Sequence, residues 1–430
     1  MPSHPELKRV LAAEGISNFG ARLSRLAIPW LAALVLDATP LQMAALLVAD
    51  VAAAALGALW LGAWVERRGK RAVMLLCDGA RAAVLALLAL LAWSGAASMS
   101  LLALAAATSG MLTMAFEVAR SAWMAQRLLA GELVQANARL SVATSLSETA
   151  AFALGGWLFQ WLGAVVALWV DALSYLASAM CLRSVSEALV ARADVASTAS
   201  LDDATAPPFA ARCRAAWQEV SFGLAVVSAK PTLRALAVIE VLLALTMSLA
   251  GTSHMIYVAR DLAIPTGQLG LIFAVGGLGA IAGARVAADA ARRFGVGWTM
   301  AAGLGALSLG SAFVPLATGA GALAIALLVA QQLVGDAGHT LYAVHDRTLR
   351  QTEVEAPLLA RTDAAIRFAG QAATLCGALL GGLIGEAVGA RATLALCAAV
   401  AAMAACYAVW RLRSLRVLPG PATAAAPTAH

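Results

Sequence analysis

Charge is the first thing this chain lacks. Only 13% of its 430 residues are Asp, Glu, Lys or Arg, against about a quarter in a typical soluble domain. With 62% hydrophobic residues and a mean hydropathy of +0.82, that deficit excludes an ordinary soluble domain and places the chain in a bilayer. The net charge of +6 and a pI near 9.3 do not point to nucleic acid, because the bases fall between apolar runs instead of sharing one face of a soluble domain. Aromatic residues are sparse too, at 6%. Trp30, Trp60, Trp64, Trp93, Trp157, Trp161 and Trp169 fall near the ends of apolar runs, where they read as interfacial anchors.

Other absences narrow the chemistry. The six cysteines, at 77, 181, 213, 376, 397 and 406, show no close pairing, so neither a disulfide framework nor a structural zinc site is expected. No HExxH or CxxC accompanies His339 and His345. No GxxxxGK[ST] supplies an ATP site, and no GxSxG marks a nucleophile. The chain therefore reads as a non-enzyme without metal or cofactor. "GGLGAIAG" (276–283) has the spacing of a dinucleotide fingerprint but not the strand that must precede it. Gly279 and Gly283 read instead as a small-residue face for helix packing. Gly377, Gly381, Gly385 and Gly389 repeat that pattern.

What is present is a set of twelve apolar stretches, each long enough at about 20 residues to cross a hydrocarbon core as a helix. They cover 11–36, 41–64, 72–94, 98–119, 136–161 and 164–186, then 233–257, 266–288, 297–318, 321–345, 363–387 and 391–411. The fold class is an all-α integral membrane protein. Placing both termini inside puts 24 of the 30 Lys and Arg on the cytoplasmic side, as the positive-inside rule requires. Arg22 and Arg25 interrupt the first run, which therefore reads as a permanent span and not as a cleaved signal. The expected address is the inner membrane, with many passes.

Apolar continuity is lost between the two sets of six. The expected division is an N-terminal bundle over 1–188, a cytoplasmic linker over 189–230, a C-terminal bundle over 231–415 and a tail over 416–430. Within the linker, residues 210–229 place Trp217, Phe222, Leu224 and Val227 opposite Arg214 and Glu219, so this stretch is either an amphipathic surface helix or a plain connector.

The densest charge in the chain is "GAWVERRGKR" (62–71). Flanking bases alone would serve orientation, but the order is specific: Gly62, Glu66, Arg67, Gly69, Lys70 and Arg71 fit G-x-x-x-[DE]-R-x-G-[RK]-[RK]. This resembles the loop signature of the major facilitator superfamily. "GARLSRLAIPW" (20–30), "DGARA" (78–82), "FEVARSAW" (116–123), "LVQANARL" (133–140), "WVDALSYLASA" (169–179) and "WQEVSFGLAVVSAKPTLRAL" (217–236) resemble its macrolide-efflux and enterobactin-export branch. The resemblance implies two six-helix bundles around a central cavity, working by alternating access. It also implies a conformational latch in which Glu66 pairs with Arg120 and faces the N-terminus of the eleventh span. Two positions depart from the pattern: Glu66 replaces the usual Asp, and Ala151 and Phe152 stand where a Gly-Pro often precedes the pair Gly155 and Gly156.

Ionisable groups inside a bilayer cost about 2.5–3.5 kcal/mol each on insertion scales and so face a cavity or a partner. Asn18, Arg22, Arg25 and Pro29 share one stripe of the first span at helical periodicity. Asn137, Ser141, Thr144, Ser145 and Glu148 share one of the fifth, and Gln332, Asp336 and His339 one of the tenth. These stripes either line a cavity or tie helices together by hydrogen bonds. Asp171 reads as structural, and Asp50 and Glu240 stay open. Glu148 is the leading candidate for proton coupling, with Asp336 and His339 as the fallback.

Three functions fit. The first is proton-driven export of amphipathic small molecules such as a drug or siderophore, by a monomer whose partners are its substrate, protons and lipid. The second is import or facilitated passage of a small nutrient. The third is a non-transporting assembly or sensor subunit. A mostly Ala, Leu, Met and Phe lining favours the first over a polar nutrient site.

Overall fold

A computed structural model describes residues 5–66, 68–128, 130–186 and 209–415. Every regular element among them is helical: α1 (Pro5–Trp30), α2 (Pro40–Glu66), α3 (Lys70–Trp93), α4 (Met99–Arg127), α5 (Ala130–Arg183), α6 (Phe209–Ala229), α7 (Pro231–Ile256), α8 (Thr266–Phe294), α9 (Val296–Leu316), α10 (Ala322–Glu353), α11 (Ala356–Val388) and α12 (Ala390–Leu412). Without water in the hydrocarbon, backbone N–H and C=O groups must be paired within each span, and a helix does this. Nine of these helices (α3, α4, α5 and α7 to α12) are long and apolar enough to cross a membrane among the described residues. α1 carries Arg22 and Arg25 and falls outside that set. α5 is two spans, because Gly163, at φ 80° and ψ 167°, breaks its 54 residues into limbs. Six membrane helices thus precede α6 and six follow it, the twelve expected from the apolar runs.

The two sets repeat one another at a constant separation of 226 residues. α1 begins at Pro5 and α7 at Pro231, and they end at Trp30 and Ile256. Each continues into one π-helical turn, Leu31–Val35 and Tyr257–Asp261. Two residues beyond each turn, Asp37 and Ala263 both take positive φ, 50° and 52°. The left-handed region costs a residue with a Cβ roughly 1–2 kcal/mol, so its recurrence at matched positions marks one backbone plan used twice. The corners match as well. Gly69 and Gly295 immediately precede α3 and α9, while Gly163 and Gly389 precede the second limb of α5 and α12 at φ 80° and 86°.

The chain folds into two compact units: Met1–Leu31 with Ala49–Ala216, and Ala32–Val48 with Trp217–His430. Residues 32–48, from the expected first bundle, and 217–230, from the expected linker, group with the second unit. The cause is local. Gly382 and Gly385 of α11 leave no room for a side chain and let Leu41, Ala44 and Pro40 approach, and Arg260 Nη2 donates to the carbonyls of Ala33 and Ala38. In the same unit α6 is a helix against α11. Glu219 pairs with Arg361 at 2.8 Å, Trp217 meets Phe368 edge-on, and Gly223 sits on the Arg361 carbonyl. Linker positions 187–208 and the tail beyond 415 lie outside the described residues.

Candidate functional site

In the first unit the polar stripe of α1 meets α4 and the first limb of α5. Arg120 of α4 forms an ion pair with Glu14, and Asn18 Nδ2 donates to Glu14 Oε1 at 3.0 Å and to the Glu14 carbonyl at 2.9 Å. One turn further, Arg22 Nη1 lies 3.0 Å from Glu148 Oε1. The two pairs differ in access: the side chains of Glu14 and Arg120 are 9% and 11% exposed, those of Glu148 and Arg22 38% and 26%. The inner pair can only hold helices together, whereas the outer pair can be reached by water or a solute. Ser147 Oγ donates to the Gly15 carbonyl at 2.7 Å and fixes the register of α5 on α1. Arg25, Asn137 and Ser145 are exposed, and the side chain of Ser141 lies outside the described residues. Asp50 of α2 presses on Gly110 of α4, within electrostatic reach of Arg25.

The Glu66–Arg120 latch lies outside the described residues on its acid side, and Arg120 itself pairs with Glu14, one turn before Asn18 on α1. Glu66 closes α2, but its side chain, that of Gly62 and the whole of Arg67 lie outside the described residues. Gly69 precedes α3 and its carbonyl accepts the Val73 N–H at 3.0 Å, while Lys70 is the first residue of the helix. Arg71 donates from Nε to the Leu182 carbonyl at 3.2 Å and from Nη2 to the Arg183 carbonyl. Arg9 and Arg127 reach the carbonyls of Ser184 and Ser186, and Arg127 also pairs with Glu6. A helix end leaves four carbonyls unpaired, and three guanidinium groups meet the carbonyls at and just beyond the end of α5. Charge in and around the basic loop thus closes the end of a helix.

In the second unit α10 carries the polar positions. Gln332 is buried, with Nε2 3.5 Å from the Phe273 carbonyl. Asp336 presses on Gly276 of α8. His339 is exposed, whereas His345 is buried with Nε2 3.1 Å from the Ala287 carbonyl. Further along α10, Arg350 gathers three acids: Nη2 is 2.9 Å from Asp346 and 3.2 Å from Glu240 of α7, and Nη1 is 4.0 Å from Asp363 of α11. Tyr342 Oη donates to Asp346 at 3.3 Å. Sequence reasoning left Glu240 open and passed over Arg350, although Asp346 and Arg350 stand four apart on one helix, the spacing of a helical ion pair. Glu14 was missed likewise, four residues before Asn18 on the stripe. Among the described residues no group of three or more His, Cys, Asp or Glu side chains is disposed to hold a metal.

Comparison with known proteins fits this architecture. The model of the Major Facilitator Superfamily matches residues 10–335, three-quarters of the chain, and the chain belongs to that family. Solved structures share the fold. A bacterial homologue of the iron transporter ferroportin, in its inward-facing state, superposes with a TM-score of 0.72 at 16% identity, over 95% of this chain and 99% of that one. The nucleoside transporter NupG gives 0.69 at 13% identity over 95% and 99%. A bacterial homolog of the human lysosomal transporter Spinster gives 0.68 at 16% over 96% and 98%. No curated protein matches the chain in sequence. Membership in this family and the transporter fold indicate membrane transport and not catalysis.

Proposed function

We propose that the chain is a proton-driven exporter of amphipathic small molecules, of the macrolide-efflux and enterobactin-export type, seated in the inner membrane with both termini in the cytoplasm. The observation that carries this reading is the Arg22–Glu148 pair, a half-exposed ion pair far from either helix end. A carboxylate is stabilised in its charged form by a nearby guanidinium and in its neutral form by an apolar surrounding. A group balanced between those two can give up the guanidinium, take a proton and reverse the exchange as its surroundings change, which is what coupling requires. Arg22 then holds the charge of Glu148 until protonation frees α1 from α5. The few polar positions on the stripes suit an amphipathic solute better than a sugar or amino acid, which needs several convergent hydrogen-bonding groups. Export follows from the resemblance of the quoted motifs, and orientation from the distribution of bases.

The test is Glu148→Gln, which mimics the protonated acid. In proteoliposomes the variant is expected to lose accumulation of a dye probe such as ethidium against its gradient while still exchanging the probe downhill. Uphill transport at the wild-type rate would remove Glu148 from coupling. Orientation is checked separately: a cysteine at Ala96 or Thr318 is expected to label from outside intact cells, and one at Gly69 only after permeabilisation.

A further inference from the structure

Asp171, in the second limb of α5, is 1% exposed, and the transport reading above gives it no task. Three inward acids of this unit have a guanidinium: Glu14 has Arg120, Glu148 has Arg22 and Asp78 has Arg81. Asp171, like the less buried Asp50, has none among the described residues. Among the described residues no basic nitrogen lies within 4.0 Å of its carboxylate, and Ser174 Oγ donates to it at 3.2 Å.

The charged and titratable groups around it are few. α3 contributes Asp78 and Arg81, α1 contributes Gly20 and Ser24, and its own limb contributes Ser174 and Tyr175, with Arg25 reaching only as far as Tyr175. Arg81 directs both of its bonded nitrogens elsewhere, and its buried Nε has no hydrogen-bond partner among the described residues. It lies 2.5 Å from Asp78 Oδ1, donates to Thr113 Oγ1 at 3.4 Å, and is held between the rings of Phe116 and Tyr175 at 4.9 and 4.2 Å. The other oxygen of Asp78 accepts from Ser178 at 2.7 Å.

Burying an ionised carboxylate without a cation is far costlier than burying the acid. The second unit supplies an independent comparison. At a separation of 226 residues, Asp78, Arg81 and Asp171 correspond to Leu304, Leu307 and Cys397, all buried. The same layer closes there without charge, so the backbone plan does not demand an ion at position 171. Packing adds a third observation: a methyl group on Gly20 would run into Asp171 Oδ1 and Ser174 Oγ, so α1 rests directly on the carboxyl.

We infer that Asp171 is held as the neutral acid, and that it is a positioning residue on which Gly20 seats α1, setting Arg22 two residues further against Glu148. A neutral carboxyl needs no counter-ion and can lie against a glycine where no water enters. It leaves Arg81 to Asp78 and keeps proton exchange at the exposed pair.

The experiment uses the full chain in lipid and does not depend on a substrate, so its outcome is separate from that of the transport reading. Infrared spectra of wild type and Asp171→Asn are expected to differ by loss of one protonated-carboxyl absorption, with Tm against pH unchanged. If the absorption is the same in both, or Asp171→Asn fails to fold or shifts the Tm profile with pH, Asp171 is ionised and the inference falls. The seating role is read from a double-mutant cycle. Asp171→Glu adds a methylene where Gly20 leaves no space, and in that background Glu148→Gln is expected to lose its own effect on Tm. Additive effects of the two substitutions would overturn the seat.

Discussion

The two units share a backbone and differ in where they put charge. Asp50 of α2 presses on Gly110 of α4 in the first; in the second the roles exchange, and Asp336 of α10 presses on Gly276 of α8, each residue 226 positions from its counterpart. Glu14 and Glu240 are the tenth residues of α1 and α7. Yet among the described residues Glu14 has one guanidinium to itself, while Glu240 shares Arg350 with Asp346 and Asp363. Asp78, Arg81 and Asp171 correspond to Leu304, Leu307 and Cys397 in the repeat. Apolar runs, corner glycines and helix breakers fix the plan in both units, and charge is laid over it differently.

The largest effect expected from this contrast is at Arg120. Removing one partner of a buried pair leaves the other charge uncompensated, at about 3–5 kcal/mol, and among the described residues Glu14 has no second base. Arg120→Ala is expected to lower Tm sharply in detergent and to reduce the amount of folded protein. The pairwise replacement Glu14→Gln with Arg120→Gln is expected to recover most of that loss. A double variant as unstable as the single one would show that the site matters for shape and not for charge balance.

How much of this was legible beforehand depends on the range of the interaction. The spans were, because an apolar run of the right length has one fate in a bilayer, and Gly163 and Gly389 stood where the chain turns. The pairing of Arg22 with Glu148 was legible from two stripes at helical periodicity and equal depth. The pairing of Arg120 with Glu14 was not, because it needs the packing of α1 on α4, which periodicity does not contain. Nor did the sequence indicate that 32–48 joins the second unit, since that depends on Gly382 and Gly385 lying against Pro40, Leu41 and Ala44.

An intermediate effect is expected at Gly20, whose counterpart is Thr246. Thr246 is buried and bonds back to the Leu242 carbonyl at 2.8 Å, so the second unit accommodates a β-branched side chain where the first accepts none. Gly20→Ala is expected to cost about 1–3 kcal/mol, the range for overpacking a filled site, read as a fall in Tm. Thr246→Ala is expected to be milder. Equal losses at both positions would mean that the close approach of α1 to Asp171 carries no special constraint.

The smallest effect is expected at Glu240, and it sharpens the comparison most. Glu14→Gln strands Arg120 in a buried site, whereas Glu240→Gln leaves Arg350 with Asp346 at 2.9 Å and Asp363 at 4.0 Å. The guanidinium keeps a bonded carboxylate, and the half-exposed Glu240 side chain is already partly solvated, so screening limits what it contributes. Glu240→Gln is expected to change stability by less than about 1 kcal/mol, in the range of exposed ion pairs. Measured side by side, the two substitutions hold position in the repeat constant and vary the number of acids per guanidinium together with the exposure of the acid. If Glu240→Gln proved as damaging as Glu14→Gln, the number of acids would not be what separates the units. The shared tenth position of the first helix would then be the site each bundle needs charged.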